Sequence, residues 1–169
     1  TIEEYETINP ETTVFFRGEA LKYWTPTGYT QDRASCLLAK GGFYERETIR
    51  WINSMDEGDL LVDIGANVGT YSIFAAANKV KVIAIEPESS NYYALNRNIK
   101  INDFDRQISA YCLGMSDKTG PDELNIRNEG VGYSCHNVGE DLSPTGQPWL
   151  ETGMQRRQGI MAYKLDDLL

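Results

Sequence analysis

Two short stretches hold residue types that can do chemistry together. The first is Val62-Asp63-Ile64-Gly65-Ala66-Asn67-Val68-Gly69-Thr70. Gly65 permits a sharp turn, and Gly69 lets a helix start lie close to a sheet. Backbone N–H groups at such a helix start face whatever binds there, with the positive end of the helix dipole behind them. The second feature is Glu86, roughly 20 residues past the first glycine. An acid at the end of the second strand of such a unit reaches a ribose and accepts hydrogen bonds from both hydroxyls. The pair suits a ligand with a sugar and a charged tail.

The spacing also discriminates among such ligands. A dinucleotide turn wants G-x-G-x-x-G. Here Asn67 stands at the second glycine and Thr70 at the third. The second glycine normally makes room for a pyrophosphate, so Asn67 argues against a dinucleotide. Asp63 repels a pyrophosphate as well, yet it can face an ammonium or a sulfonium. S-adenosylmethionine, with its ribose, carboxylate, ammonium and sulfonium, suits the arrangement better than NAD. An NAD-dependent oxidoreductase is the alternative enzyme, and a catalytically silent binding module the alternative from another class.

These residues need strands and helices to carry them. Asp59–Ile64 reads as a buried strand, Val68–Asn78 as a helix rich in small residues, and Val80–Ile85 as a second strand. Ser90–Ile101 follows as a helix with Tyr92, Leu95 and Ile99 on one face, then Ile108–Leu113 as a third strand. Strand–helix–strand–helix–strand at this spacing implies parallel pairing in an α/β, Rossmann-like, doubly wound and mostly parallel sheet. Before it, Thr13–Phe16 and Ala20–Trp24 suggest a hairpin, and Glu45–Met55 a helix. After it, residues 114–159 are rich in Gly and Pro and read as a loop-rich insert. A hairpin is expected there between Leu124-Asn125-Ile126 and Gly132–Cys135, and a last strand over Ile160–Tyr163. The expected organisation is an N-terminal β or irregular appendage over 1–44 and a cofactor-binding domain over 45–169, incomplete at its C-terminus.

Composition narrows the classes. The 169 residues fit one domain with a small appendage. A net charge of −9 disfavours phosphate backbones and anionic lipid, so neither nucleic acid nor membrane is expected as a partner. The three cysteines, Cys36, Cys112 and Cys135, are widely spaced without CxxC, which implies reduced thiols, a cytoplasmic location and buried, inert side chains. No metal-ligand spacing is present.

With Ile85-Glu86-Pro87, Leu95-Asn96-Arg97-Asn98-Ile99 and Asn102, the glycine turn resembles that of class I S-adenosylmethionine-dependent methyltransferases. More narrowly, Tyr44-Glu45, Ser116–Gly120 and Lys164–Leu168 resemble the FkbM family, over residues 42–169. That resemblance implies O-methylation of a sugar or other small-molecule hydroxyl. It implies that Asp63, Gly65, Ala66, Asn67 and Gly69 line the methionine part and the turn, and that Glu86 holds the ribose. It places Gly114, Met115 and Ser116 beside the adenine and Glu45 near the amino group. No catalytic base is assigned. His136, the single histidine, reads as a surface or packing residue; Asp166 and Asp167 read as solvated, and Trp24, Trp51 and Trp149 as core or lid aromatics.

Overall fold

A computed structural model describes residues 10–17, 19–35, 45–139 and 156–168. Its centre is a parallel three-stranded sheet of order β3-β4-β5, formed by Leu60–Ile64, Lys81–Ile85 and Ile108–Tyr111. Leu60 pairs with Lys81 and Ile64 with Ile85; Val82 pairs with Ile108. This register brings the C-terminal ends of β3 and β4 level, so the turn after Ile64 and Glu86 after Ile85 emerge side by side. Among the described residues, β3 has no strand on its outer edge.

The crossovers are α3 (Thr70–Ala77) and α4 (Ser89–Ile101). Six residues of α3 are buried, including Ile73, Phe74, Ala75 and Ala76, because small side chains let the helix lie flat on the strands. Leu95 and Ile99 of α4 join the same core, with Val82 and Ala84 from β4 and Val80 just before it. Helix α2 (Arg46–Asn53) contributes Ile52, which is fully buried. This is the parallel α/β layering that the strand and helix spacing implies.

The expected hairpin forms: β1 (Glu11–Phe16) pairs antiparallel with β2 (Glu19–Trp24). Val14, Leu21 and Tyr23 lie in the core, and Asn98 of α4 and Asn102 at its C-terminal cap tie β2 to the central layer. Asn102 accepts from Lys22 N–H at 2.8 Å and donates to Lys22 C=O at 2.7 Å. Asn98, wholly buried, accepts from Trp24 N–H at 2.6 Å and donates to Val68 C=O at 2.7 Å. Asn98→Ala should therefore leave two main-chain groups without partners and destabilise the fold by about 2–4 kcal/mol, readable in urea unfolding.

Two segments depart from expectation. Helix α1 (Gly28–Ser35) forms where the sequence reads as irregular, because its residues are polar and carry no apolar stripe. Residues 114–159 also hold more order than their glycines imply. A second sheet of order β6-β9-β7-β8 is built from Gly114–Met115, Arg156–Tyr163, Gly120–Ile126 and Asn137–Val138. Leu124 pairs with Val138, not with the expected 132–135, and β9 begins four residues before Ile160. Pro121 is tolerated near the start of β7, where it pairs with Met161. Lys164 is followed by a short helix, α5 (Leu165–Leu168). Among the described residues, no helix is long and apolar enough to cross a membrane.

Candidate functional site

The bend between β3 and α3 holds three left-handed residues: Gly65 at φ +76°, Asn67 at +53° and Gly69 at +83°. Gly65 and Ala66 both donate main-chain hydrogen bonds to Ile85 C=O at 2.9 Å, which locks the bend to β4. A side chain at Gly65 would meet nothing within 4 Å, so its face opens into space. Gly69 differs. A Cβ there would lie 2.5 Å from Leu95 Cδ1, so α3 starts directly against α4.

Glu86 is buried and aimed at this bend. Its Oε2 accepts from Asn67 N–H at 2.7 Å and its Oε1 from Glu88 N–H at 2.9 Å. Each carboxylate oxygen retains capacity for a further donor. Burial pushes the Glu86 carboxyl up to about 7, against the pull of the two main-chain N–H groups. Asp63 is raised too, chiefly by burial; Ser72 opposes this by donating from Oγ at 2.6 Å, and the Glu45 charge adds to it. Glu45 precedes α2 with a left-handed backbone. Acids thus cluster around one helix start, an arrangement that seeks cationic and hydroxylic partners rather than phosphate.

Two cavities flank the bend and share Ser134 in their walls. The smaller, about 120 Å³, is lined by Gly65, Asn67, Glu86, Asn91, Tyr133 and His136, among others. The larger, about 360 Å³, lies between Tyr29, Asp32, Arg33, Glu45, Thr70 and Tyr71. The roof of the smaller is the segment after β7. Tyr133 C=O accepts from Asn67 Nδ2 at 2.7 Å and from Asn91 Nδ2 at 3.0 Å, and Gly132 N–H donates to Asn91 Oδ1 at 2.8 Å. Helix α1 holds the same segment through Arg33 Nε, which donates to Gly132 C=O at 2.6 Å. The Tyr29 and Tyr133 rings stand 3.8 Å apart between centroids.

Of the residues singled out from sequence, Gly65, Asn67 and Glu86 meet in the smaller cavity and Glu45 lines the larger, facing Asp63. Ala66 is buried and shapes the bend, its C=O accepting from Gly69 N–H at 2.8 Å. Gly114 and Met115 lie in β6 against β9, Ser116 donates its N–H to Tyr163 C=O, and none of the three lines either cavity. Asp166 and Asp167 are exposed on α5, where Asp167 accepts from Thr119 Oγ1. Trp24 sits beneath the Arg97 guanidinium and edge-on to Tyr93, and Trp51 is exposed. Trp149 and Cys36 lie outside the described residues. Cys112 and Cys135 are free but exposed, contrary to the expected burial: Cys112 follows the end of β5 and Cys135 occupies a left-handed loop position. The sequence reading missed Asn91 and Tyr133, because both act through contacts between segments about 40 residues apart. An Asn in the first turn of α4 was the one available signal. Among the described residues, no cluster of His, Cys, Asp and Glu could hold a metal ion.

A parallel α/β sheet with a glycine bend and a buried acid at the next strand end defines a domain of the S-adenosylmethionine-dependent class I methyltransferase type. Residues 27–126 match the TRM5/TYW2 methyltransferase domain, and the chain belongs to that family. Its cofactor is accordingly S-adenosylmethionine, as the bend and Glu86 imply. A tRNA(Phe) (4-demethylwyosine(37)-C(7)) aminocarboxypropyltransferase of Pyrococcus horikoshii is 27% identical over 96% of this chain and 66% of its own length. The methyltransferase sdnD of Sordaria araneosa is 31% identical over 41% of this chain and 27% of its own. The structure of P. horikoshii TYW2 in complex with MeSAdo aligns with 66% of this chain and 39% of that one, at 24% identity and a TM-score of 0.42. The chain spans less than two thirds of the length of each.

These findings correct two expectations. The FkbM resemblance gives way to the TRM5/TYW2 match. Part of its motif serves packing around the second sheet instead: Ser116 donates its N–H to Tyr163 C=O, and Asp167 accepts from Thr119 Oγ1. A small-molecule hydroxyl acceptor without nucleic acid also falls, because the relative aligned over nearly the whole chain acts on tRNA(Phe). Net charge averages over the surface, whereas a nucleic acid is contacted through local groups, so an acidic balance does not exclude one.

Proposed function

We propose that this domain binds S-adenosylmethionine across the β3–α3 bend and transfers a carbon group from it to a base of a tRNA. The observation that carries the reading is the family match over 27–126, which takes in Glu45, Asp63, the bend and Glu86. The residues present fit the cofactor. Glu86 would accept hydrogen bonds from the ribose hydroxyls, and its high proton affinity suits a site completed by donors. Asp63 and Glu45 would face the ammonium and sulfonium. Gly65 leaves open space for close approach, while Ala66, Asn67 and Gly69 hold the bend. The larger cavity, with Tyr29 and Arg33 in its wall, would admit the acceptor base. In this reading residues 45–169 form the cofactor-binding domain and 1–44 an appendage whose β1–β2 hairpin is tied to α4, and the free thiols at Cys112 and Cys135 suit the reducing cytosol.

The bound cofactor supplies an electrophilic carbon on a positively charged sulfur, either its methyl group or the first carbon of its aminocarboxypropyl chain. The chain's contribution is to align the base with that carbon and to exclude water. Incubation with tRNA(Phe) and S-adenosylmethionine labelled in the methyl or in the carboxyl carbon tests this reading and separates the two groups. Label is expected in the tRNA from one of the two preparations. Binding of S-adenosylhomocysteine with no label in tRNA from either would contradict the acceptor.

A further inference from the structure

Tyr93, Arg97 and Lys100 are spaced to fall on one outer stripe of α4. Tyr93 is 57% exposed and Lys100 is exposed. Strand β2 runs beside this helix in the opposite direction, since Asn98 holds Trp24 and Asn102 holds Lys22. Trp24 and the exposed Lys22 share the outer face of the hairpin. The Arg97 guanidinium lies over the Trp24 ring, 5.0 Å from its centroid, and the Trp24 and Tyr93 rings meet edge-on at 5.6 Å. These contacts hold the planar fork of Arg97 at the surface. Among the described residues, Arg50, Lys79, Lys118, Arg156 and Arg157 are ion-paired, whereas Lys22, Arg97 and Lys100 are not. Glu11, opposite Trp24 in β1, is the acid on the hairpin's outer face, and Asp103 lies past the end of α4. In a chain of net charge −9, three uncompensated cations gathered around two aromatic rings make a local positive field.

This face is joined to both cavities. Helix α4 starts just after Glu86, and β2 continues through a short connection into α1, whose Tyr29 lines the larger cavity. Thr27 Oγ1 in that connection donates to Val131 C=O at 2.9 Å, which pins it to the segment roofing the smaller cavity. We infer that the α4–β2 face docks the phosphate backbone of an RNA substrate, with Lys22, Arg97 and Lys100 meeting phosphates while the acceptor base enters the larger cavity. This rests on the tRNA reading above and gives that substrate a docking surface outside the cofactor site. Phosphates suit the face by charge, and the Arg97 fork, already ordered on Trp24, can grip one with two hydrogen bonds.

Two double variants separate this face from charge in general. Lys22→Gln with Lys100→Gln removes two cations from the face, through exposed side chains. Lys79→Gln with Lys81→Gln removes two at the start of β4, the end of that strand away from the bend. Fluorescence anisotropy with labelled tRNA(Phe) at about 0.15 M salt should show about tenfold weaker binding for the first pair and a change within about twofold for the second. The slope of log affinity against log salt should become shallower by about 1–2 in the first pair only. S-adenosylhomocysteine should bind both variants as it binds the unsubstituted protein, which reports an intact fold and cofactor site. Equal losses of tRNA affinity in the two pairs, or an unmoved salt slope in the first, would overturn the inference while leaving the tRNA reading intact. A dimer in sedimentation that the first pair splits, with tRNA affinity retained, would assign the face to a second copy of the chain and overturn the inference as well. No binding of tRNA by the unsubstituted protein would overturn both.

Discussion

Glu86→Gln should weaken S-adenosylhomocysteine binding and, at alkaline pH, relieve a strain on the free fold. Binding falls because two charge-assisted hydrogen bonds to the ribose become neutral or lose their acceptor; the expected loss is about 2 kcal/mol, some thirtyfold. Stability moves the other way because the carboxyl ionises at an ordinary 4.5 when unfolded and at about 7 when folded. The folded state holds the proton more tightly. Its advantage is fully present below the unfolded value and is lost as pH rises through about 7. The shift corresponds to about 3 kcal/mol across that window. Glutamine cannot titrate. It also sets an N–H against one of the two main-chain donors at Asn67 and Glu88, a cost that does not vary with pH. The effect of the substitution should therefore be about 2.5 kcal/mol more favourable at pH 8 than at pH 5, by urea unfolding at both. His136, whose lowered pKa works in the opposite sense as pH falls below 6.5, cancels in the comparison. A substitution effect equal at the two pH values would remove Glu86 as the buried acid of this site.

Gly69→Ala should cost about 3 kcal/mol of stability, whereas Gly65→Ala should cost only the backbone penalty of about 1–2 kcal/mol and damage binding. At Gly69 the φ of +83° costs an L-residue about 1–2 kcal/mol, and the added carbon would stand 2.5 Å from Leu95 Cδ1. Leu95 is wholly buried in the core, so it cannot swing aside, and overpacking there costs about 1–3 kcal/mol. At Gly65 the same left-handed backbone penalty applies, but the methyl group projects into open space. That space is where a cofactor would approach the main chain. Chemical denaturation and S-adenosylhomocysteine titration on both variants measure the contrast. Comparable stability losses would show that the two glycines serve the same purpose.

The parallel layer was legible because its signals are local. Val82–Ile85 is a continuous apolar run, the alanines of α3 suit close contact with a sheet, and Gly65 to Glu86 has the spacing of a strand–helix–strand unit. The pairing Ile64–Ile85 then places the bend beside Glu86 without further information. The second sheet was not legible. β7 opens with Gly120 and Pro121, and its partners come from β8 and from β9, the latter more than thirty residues away in sequence. Local composition carries no record of such pairings. The roof of the smaller cavity escaped for the same reason, since Tyr133 offers a carbonyl, which every residue possesses. The narrower family resemblance failed because two of its segments serve packing around the second sheet: Ser116 donates its N–H to Tyr163 C=O, and Asp167 accepts from Thr119 Oγ1. The acceptor failed with it, because a shared fold does not specify the substrate.

The central claim is that the nucleoside of the cofactor lies on the bend with its sugar held by Glu86. A crystal structure of the protein with S-adenosylhomocysteine tests it most directly. Both ribose hydroxyls should lie within hydrogen-bond distance of the Glu86 carboxylate, with the amino-acid end toward Asp63 and Glu45. A ligand bound elsewhere, with Glu86 contacting only the main-chain N–H groups of Asn67 and Glu88, would contradict the account.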